Sequence, residues 1–228
     1  MKKYIIFLLL FSLVTVSVSA QSKKAKVTVE GTESDPKAKS LLEKARKKYE
    51  GLKSLQADFQ LTIELAERKP EIQKGTMYQK GDKYRVKLPS QDVTSDGKAV
   101  YLFLKKNNEI QINDVDTGDA NSLSPKALLK LYQQGNFRYY ISGNAKENGK
   151  AVTQVEVVPN DRNVEYSKLR VSIDKVGQIV SLKSFNKDGS KYSLVMTSIK
   201  TNKDIKEDIF VFDKSKYPNA HIEDLRTN

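Results

Sequence analysis

Leu55-Gln56-Ala57-Asp58-Phe59-Gln60-Leu61-Thr62-Ile63-Glu64-Leu65 alternates an apolar with a polar side chain at every step. A period of two puts Leu55, Ala57, Phe59, Leu61, Ile63 and Leu65 on one face of a single strand and the polar set on the other. At about 3.3 Å per residue such a strand spans roughly 36 Å, well beyond the usual length. Shorter alternations follow along most of the chain, which predicts a long antiparallel sheet with one apolar face. Helices, a second sheet or a ligand must cover that face, and which of them does so is the functional question.

Upstream, Asp35 is a natural N-cap and Pro36 fits the first helical turn. Ala38, Leu41, Leu42, Ala45 and Tyr49 then repeat at helical spacing, and Gly51 closes an amphipathic helix. Downstream, breaks at Arg68-Lys69-Pro70, Gly81-Asp82, Pro89 and Asp96-Gly97 divide residues 55–104 into a meander of strands. Another strand is expected over 109–115, after the Asn107-Asn108 turn. Residues 116–123 read as a polar loop. Ser124-Pro125 starts a second short helix, with Leu128, Leu129, Leu131 and Tyr132 as its apolar face and Gly135 at its end. Strands return over 137–142, 151–158, 166–174, 178–185 and 191–199, with turns at Val176-Gly177 and Asp188-Gly189. Phe210-Val211-Phe212 is expected in a last short strand, before a tail ending Glu223-Asp224-Leu225-Arg226. Roughly a dozen strands and two helices make a single domain over 35–228.

Residues 1–20 have the layout of a cleaved secretory signal peptide: Lys2 and Lys3, an apolar run from Tyr4 to Val14, then Val18-Ser19-Ala20. The polar, lysine-rich residues 21–34 read as a flexible leader. The expected mature protein is exported, and without any cysteine it carries no lipid anchor, disulfide or thiol chemistry. The chain has 40 basic and 28 acidic residues, a formal charge of +12, and cleavage removes only two lysines. An exported protein does not normally meet DNA, and the lysines are scattered without interleaved aromatics, so nucleic acid is not an expected partner. The basic balance points to an anionic membrane surface or an acidic protein partner, or else is a solvated lysine surface.

No catalytic constellation emerges. His221, the only histidine, follows Pro218 without a partner motif and reads as a surface residue. Asp114, Asp116, Asp119 and Asn121 around Gly118 have part of the content of a calcium loop, but Pro125 stands where the bidentate glutamate belongs, which favours a solvated loop. Asp58 and Glu64 are about 20 Å apart along their strand, too far to act as a carboxylate pair. No glycine-rich phosphate loop precedes a helix. The expectation is therefore a binding protein without metal or cofactor. Phe59, Leu61, Ile63, Tyr84, Val86, Tyr101, Phe103, Ile110 and Ile112 are candidates to line a concave surface, with Leu128 and Leu131 from the second helix. Each is also what a packed core requires.

The chain resembles the LolA family of periplasmic lipoprotein carriers. Leu41-Leu42 leads into Tyr49-x-x-Leu52-x-Ser54-Leu55-x-Ala57-Asp58-Phe59, similar to the family's opening. Gly75-Thr76-Met77, Tyr84-Arg85 with Leu88-Pro89, and Ser95-Asp96-Gly97-Lys98 before Val100-Tyr101 resemble its next strands and turn. Pro125-x-x-Leu128-Leu129, Ile173-Asp174-x-x-Gly177-x-Ile179 and Phe210-x-Phe212 through Asp224-Leu225-Arg226 resemble its later parts. The resemblance implies an unclosed antiparallel half-barrel with helices as a lid over a hydrophobic cavity. Its cargo would be the acyl chains of lipoproteins, taken from an inner-membrane ABC transporter and handed, by a monomeric carrier, to an outer-membrane acceptor or membrane surface. Burying one chain of about sixteen carbons is worth roughly 13 kcal/mol, so such cargo cannot cross water alone. The family's Lys-Arg-Pro reads Lys80-Gly81-Asp82-Lys83 here, which removes the arginine tied to holding the lid and leaves Lys80 or Lys83 as substitutes. The alternatives are a periplasmic lipid-binding sensor or regulatory domain of the same fold, an outer-membrane acceptor, and a secreted enzyme.

Overall fold

The computed structural model describes residues 34–115 and 137–227. One α-helix, α1 (Pro36–Glu50), precedes β1 (Ser54–Glu64), β2 (Glu71–Lys80), β3 (Lys83–Lys87), β4 (Gln91–Ser95), β5 (Ala99–Leu104) and β6 (Glu109–Asp114). Then follow β7 (Phe137–Glu147), β8 (Lys150–Pro159), β9 (Tyr166–Asp174), β10 (Ile179–Asn186), β11 (Lys191–Thr201) and β12 (His221–Asp224). All twelve lie in one unclosed sheet, in the order β12-β6-β5-β4-β3-β2-β1-β11-β10-β9-β8-β7. Every pairing is antiparallel except that of β12 with β6. The second predicted helix, with the 116–123 loop, and the predicted signal peptide and leader up to residue 33 lie outside the described residues.

The alternating stretch is the hub of this sheet, paired along its length with β2 on one side and β11 on the other. Its apolar residues are buried, and its polar residues on the opposite face are half-buried. A bulge opposite β11 falls between Asp58 and Phe59, and bulges bend a strand and sharpen its twist. Phe59 faces Gly75 of β2, where a Cβ would lie 2.5 Å from the Phe59 Cζ and 2.8 Å from the Lys87 carbonyl oxygen. Only a glycine lets the ring lie this close to the neighbouring backbone.

α1 begins as the sequence predicts, with the Asp35 carboxylate accepting from the Lys37 amide at 2.7 Å. It buries Ala38, Leu42, Ala45 and Tyr49 against Phe137, Val155, Leu169, Val171, Ile173 and Ile179, which belong to β7–β10. The Ile179 amide donates to the Tyr49 hydroxyl at 3.2 Å, and burial pushes that phenol up to about 12.

The C-terminal segment corrects the sequence reading twice. Phe210-Val211-Phe212 is not a strand: Glu207–Phe210 forms a 3₁₀ turn, and the chain crosses the sheet as a strap. Both edges of each strand beneath it are already paired, so no edge is free to accept it. It is held through side chains instead. Phe212 stacks on Tyr101 at 4.7 Å, Tyr217 meets Phe103 at 4.5 Å, and the Arg85 Nη1 donates to the Ile209 carbonyl at 3.2 Å. Lys80 and Lys83 each approach the Glu207 carboxylate to 2.8 Å. The expected tail then contains β12, a strand whose sequence shows only one aliphatic residue, Ile222.

Two outcomes follow from these contacts. Gly75→Ala should cost about 1–3 kcal/mol, because the added methyl meets ring and backbone at once. A urea midpoint equal to that of the parent would show that Phe59 swings clear. The hydrogen bonds from Lys80 and Lys83 hold Glu207 down to about 2. A carboxylate lowered in the folded state contributes fully above its unfolded value, and that contribution is lost as pH falls towards the folded one. Protection of the strap amides, taken relative to the intrinsic exchange rate at each pH, should therefore fall between about pH 4.5 and pH 2, and Glu207→Gln should abolish this step; a step that persists in the variant assigns it to another acid.

Candidate functional site

The registers build a second apolar surface on the same face as the one α1 covers. Phe59, Leu61 and Ile63 stand beside Met196, Leu194 and Tyr192 of β11. In the other direction Ala57 stands beside Met77, Met77 beside Val86, Val86 beside Val93, and Val93 beside Leu102. This cluster contains no residue of α1, and among the described residues no helix lies over it. Its central side chains are tightly packed, with Phe59 only 3% exposed and Leu61 7%.

Five of the predicted lining residues meet here: Phe59, Leu61, Ile63, Tyr84 and Val86. Tyr84 stands at the margin, half-buried, and burial pushes its phenol up to about 12. Tyr101, Phe103, Ile110 and Ile112 do not join them. Tyr101 pairs with Ile112 and Phe103 with Ile110 on the opposite face, the one the strap crosses. Ala99-Val100-Tyr101-Leu102-Phe103-Leu104 is apolar at both parities, so alternation alone does not orient it; Val100, Leu102 and Leu104 take the inner face. Leu128 and Leu131 lie outside the described residues.

Met77, Val93, Leu102, Tyr192 and Met196 belong to the surface and were not singled out from sequence. The last two come from β11, whose pairing with β1 joins segments more than a hundred residues apart; an apolar side chain on every second residue from Tyr192 to Met196 was the available signal.

The rim at β6 is polar. Gln111 stands opposite Leu102 and Asn113 opposite Val100. Among the described residues, the Gln111 Oε1 and Asn113 Nδ2 are buried without a hydrogen-bond partner, an arrangement that costs free energy unless a bound group supplies the missing bond. The predicted lid-latch region is a hairpin turn in which Gly81 has φ +59°, and both flanking lysines are committed to Glu207 on the strap.

Among the described residues, no group of three or more histidine, cysteine, aspartate or glutamate side chains is placed to hold a metal. No described helix is long and apolar enough to cross a membrane. His221 is exposed, as its sequence context suggests.

A family model described as outer membrane lipoprotein carrier protein LolA matches residues 50–213. An uncharacterized protein of Methanocaldococcus jannaschii is 22% identical over 178 residues, 77% of this chain and 51% of the relative, so the chain spans about half the length of the curated relative it matches. Among solved structures, a LolA superfamily protein from Nitrosomonas europaea shares 14% identity at a TM-score of 0.40, over 77% of this chain and 97% of that one. The lipoprotein LppX of Mycobacterium tuberculosis shares 11% at 0.46, over 77% and 100%. The MucA/MucB complex of Pseudomonas aeruginosa gives 15% at 0.46, over 78% and 61%.

Proposed function

Because the chain belongs to the LolA family of outer membrane lipoprotein carrier proteins, we propose that it is a periplasmic carrier that shields lipoprotein acyl chains between the inner and the outer membrane. The observation that carries this reading is the apolar surface across β11, β1, β2, β3, β4 and β5, which no described helix covers. Acyl chains would lie along Phe59, Leu61, Ile63 and Met196, with Tyr84 at the margin. Met77 and Met196 suit such a surface because thioether side chains repack around varied apolar shapes. The unpaired Gln111 and Asn113 atoms would meet the polar linkage at the head of the chains. The protein acts by binding, not by turnover, as carriers of this family do.

In this reading residues 1–20 are removed on export and residues 35–228 work as one domain. An inner-membrane ABC transporter loads the carrier, and an outer-membrane acceptor or the membrane surface receives the cargo. The second reading, a lipid-binding sensor of the same fold, shares the surface and differs in what the loaded protein does next.

Native mass spectrometry of protein purified from the periplasm, with lipid extraction, tests the proposal. A mass that begins at Gln21 and carries acylated lipoprotein or phospholipid supports a carrier. An empty mass, with no uptake of a fluorescent acyl probe, sinks it. Delivery of bound cargo to outer-membrane vesicles separates carrier from sensor. Leu61→Trp should fill the surface and weaken acyl-probe binding about tenfold, whereas Leu169→Met beneath α1 should leave it unchanged.

A further inference from the structure

Pairing of β2 with β3 ends at Thr76 and Lys87, while β2 runs on beside β1 as far as Glu71. Where the strands part there is a cleft of about 620 Å³, with Lys74, Lys87 and Lys105 around it and apolar lining from Phe59, Leu88 and Pro89.

Several cations of this basic chain are matched with acids. Glu156 holds Lys168 and Arg170, Glu64 holds Lys183 and Lys191, and Glu207 holds Lys80 and Lys83. The cleft gathers three exposed lysines, none of which makes an ion pair among the described residues, and Lys87 lies 6.0 Å from the centroid of the Tyr78 ring. Lys87 stands across from Asp92, but Arg85 already grips that carboxylate with two hydrogen bonds, at 3.0 and 2.7 Å. Lys74 faces the neutral Gln60. Lys105 donates to the Leu88 carbonyl and to no carboxylate. The single acid in the lining, Asp58, accepts from the Thr76 hydroxyl at 2.9 Å. The lining thus keeps a net positive charge in a recess large enough for a small anion.

We propose that this cleft binds a phosphate-bearing group, either as a free small anion or as the headgroup of a lipid. Lysine ammonium groups hold phosphate as point charges without demanding one geometry, and the apolar lining suits the carbon skeleton of a phosphate ester. The cleft adjoins the proposed acyl surface, sharing Phe59 and Leu88 with it, while its lysines lie outside that apolar cluster.

The test uses isotope-labelled mature protein titrated with inorganic phosphate and with glycerol phosphate, following the amide signals of Gly75, Thr76 and Lys105. Flotation with phosphatidylglycerol vesicles, against phosphatidylcholine vesicles, runs in parallel. Expected are shifts confined to the cleft and binding weakened about tenfold in the Lys74→Gln/Lys87→Gln double variant. The Lys39→Gln/Lys47→Gln variant, which removes the same charge from exposed positions of α1, should bind as the parent does. A response to the soluble probes assigns the site to phosphate itself, and a response to phosphatidylglycerol vesicles alone assigns it to a lipid headgroup. No response to any probe, or equal weakening by the α1 variant, overturns the proposal. Acyl-probe uptake by the cleft variant, unchanged from the parent, verifies its folding and keeps this outcome apart from that of the carrier reading.

Discussion

One helix cannot cover this sheet. A helix of the length of α1 is about 22 Å long and about 10 Å wide, whereas twelve strands at about 4.8 Å spacing extend roughly 50 Å across. The helix therefore seals β7–β10, where Tyr49 meets the Ile179 amide, and leaves the apolar face of β11 and β1–β5 to another cover. A sheet with a large apolar face must pack it against something, and the central side chains of this cluster are already buried, with Met77 2% exposed and Val86 4%. Under the proposed carrier reading, such a surface is kept for the acyl chains of the cargo.

The opposite face meets its own requirement differently. Over β5 and β6, Tyr101, Phe103, Ile110 and Ile112 would be an exposed apolar patch without the strap, whose Phe212 and Tyr217 rings cover Tyr101 and Phe103. Beyond the strap this face is charged. Burial pushes the Glu156 carboxyl up, but hydrogen bonds from Arg170, Lys168 and Tyr140 outweigh it and leave the group below its ordinary range. Removing one partner from such a cluster costs far more than its net contribution, because a buried charge is left unmatched.

Sequence reasoning reached the sheet, α1 and its cap, and most hairpin turns, since each rests on local chemistry: the alternation of β1, the Asp35-Pro36 pair, the Asp-Gly turns. It failed where position depends on distant partners. Orienting β5 required its register with β4 and β6, because both of its parities are apolar. The strap was read as a strand because Phe210-Val211-Phe212 has strand-forming composition, yet no free edge awaits it. β12 was missed for the reverse reason, since a single aliphatic residue gives no period to read. Part of the candidate surface was legible because Phe59, Leu61 and Ile63 lie on one strand. Met196 and Tyr192 complete it only through long-range pairing.

β1 and β2 join the two chemistries of the molecule. On one face they carry Phe59, Leu61 and Met77 into the apolar cluster, and on the other Asp58 and Thr76 close part of the basic cleft. Gly75 stands between them, its missing side chain allowing the Phe59 ring to contribute to both. A side chain at Gly75 would push the ring from the adjoining backbone and disturb cluster and cleft together. Packing that interlocks in this way transmits strain and does not absorb it. The long alternating strand that fixes the fold thus borders both the apolar cluster and the basic cleft.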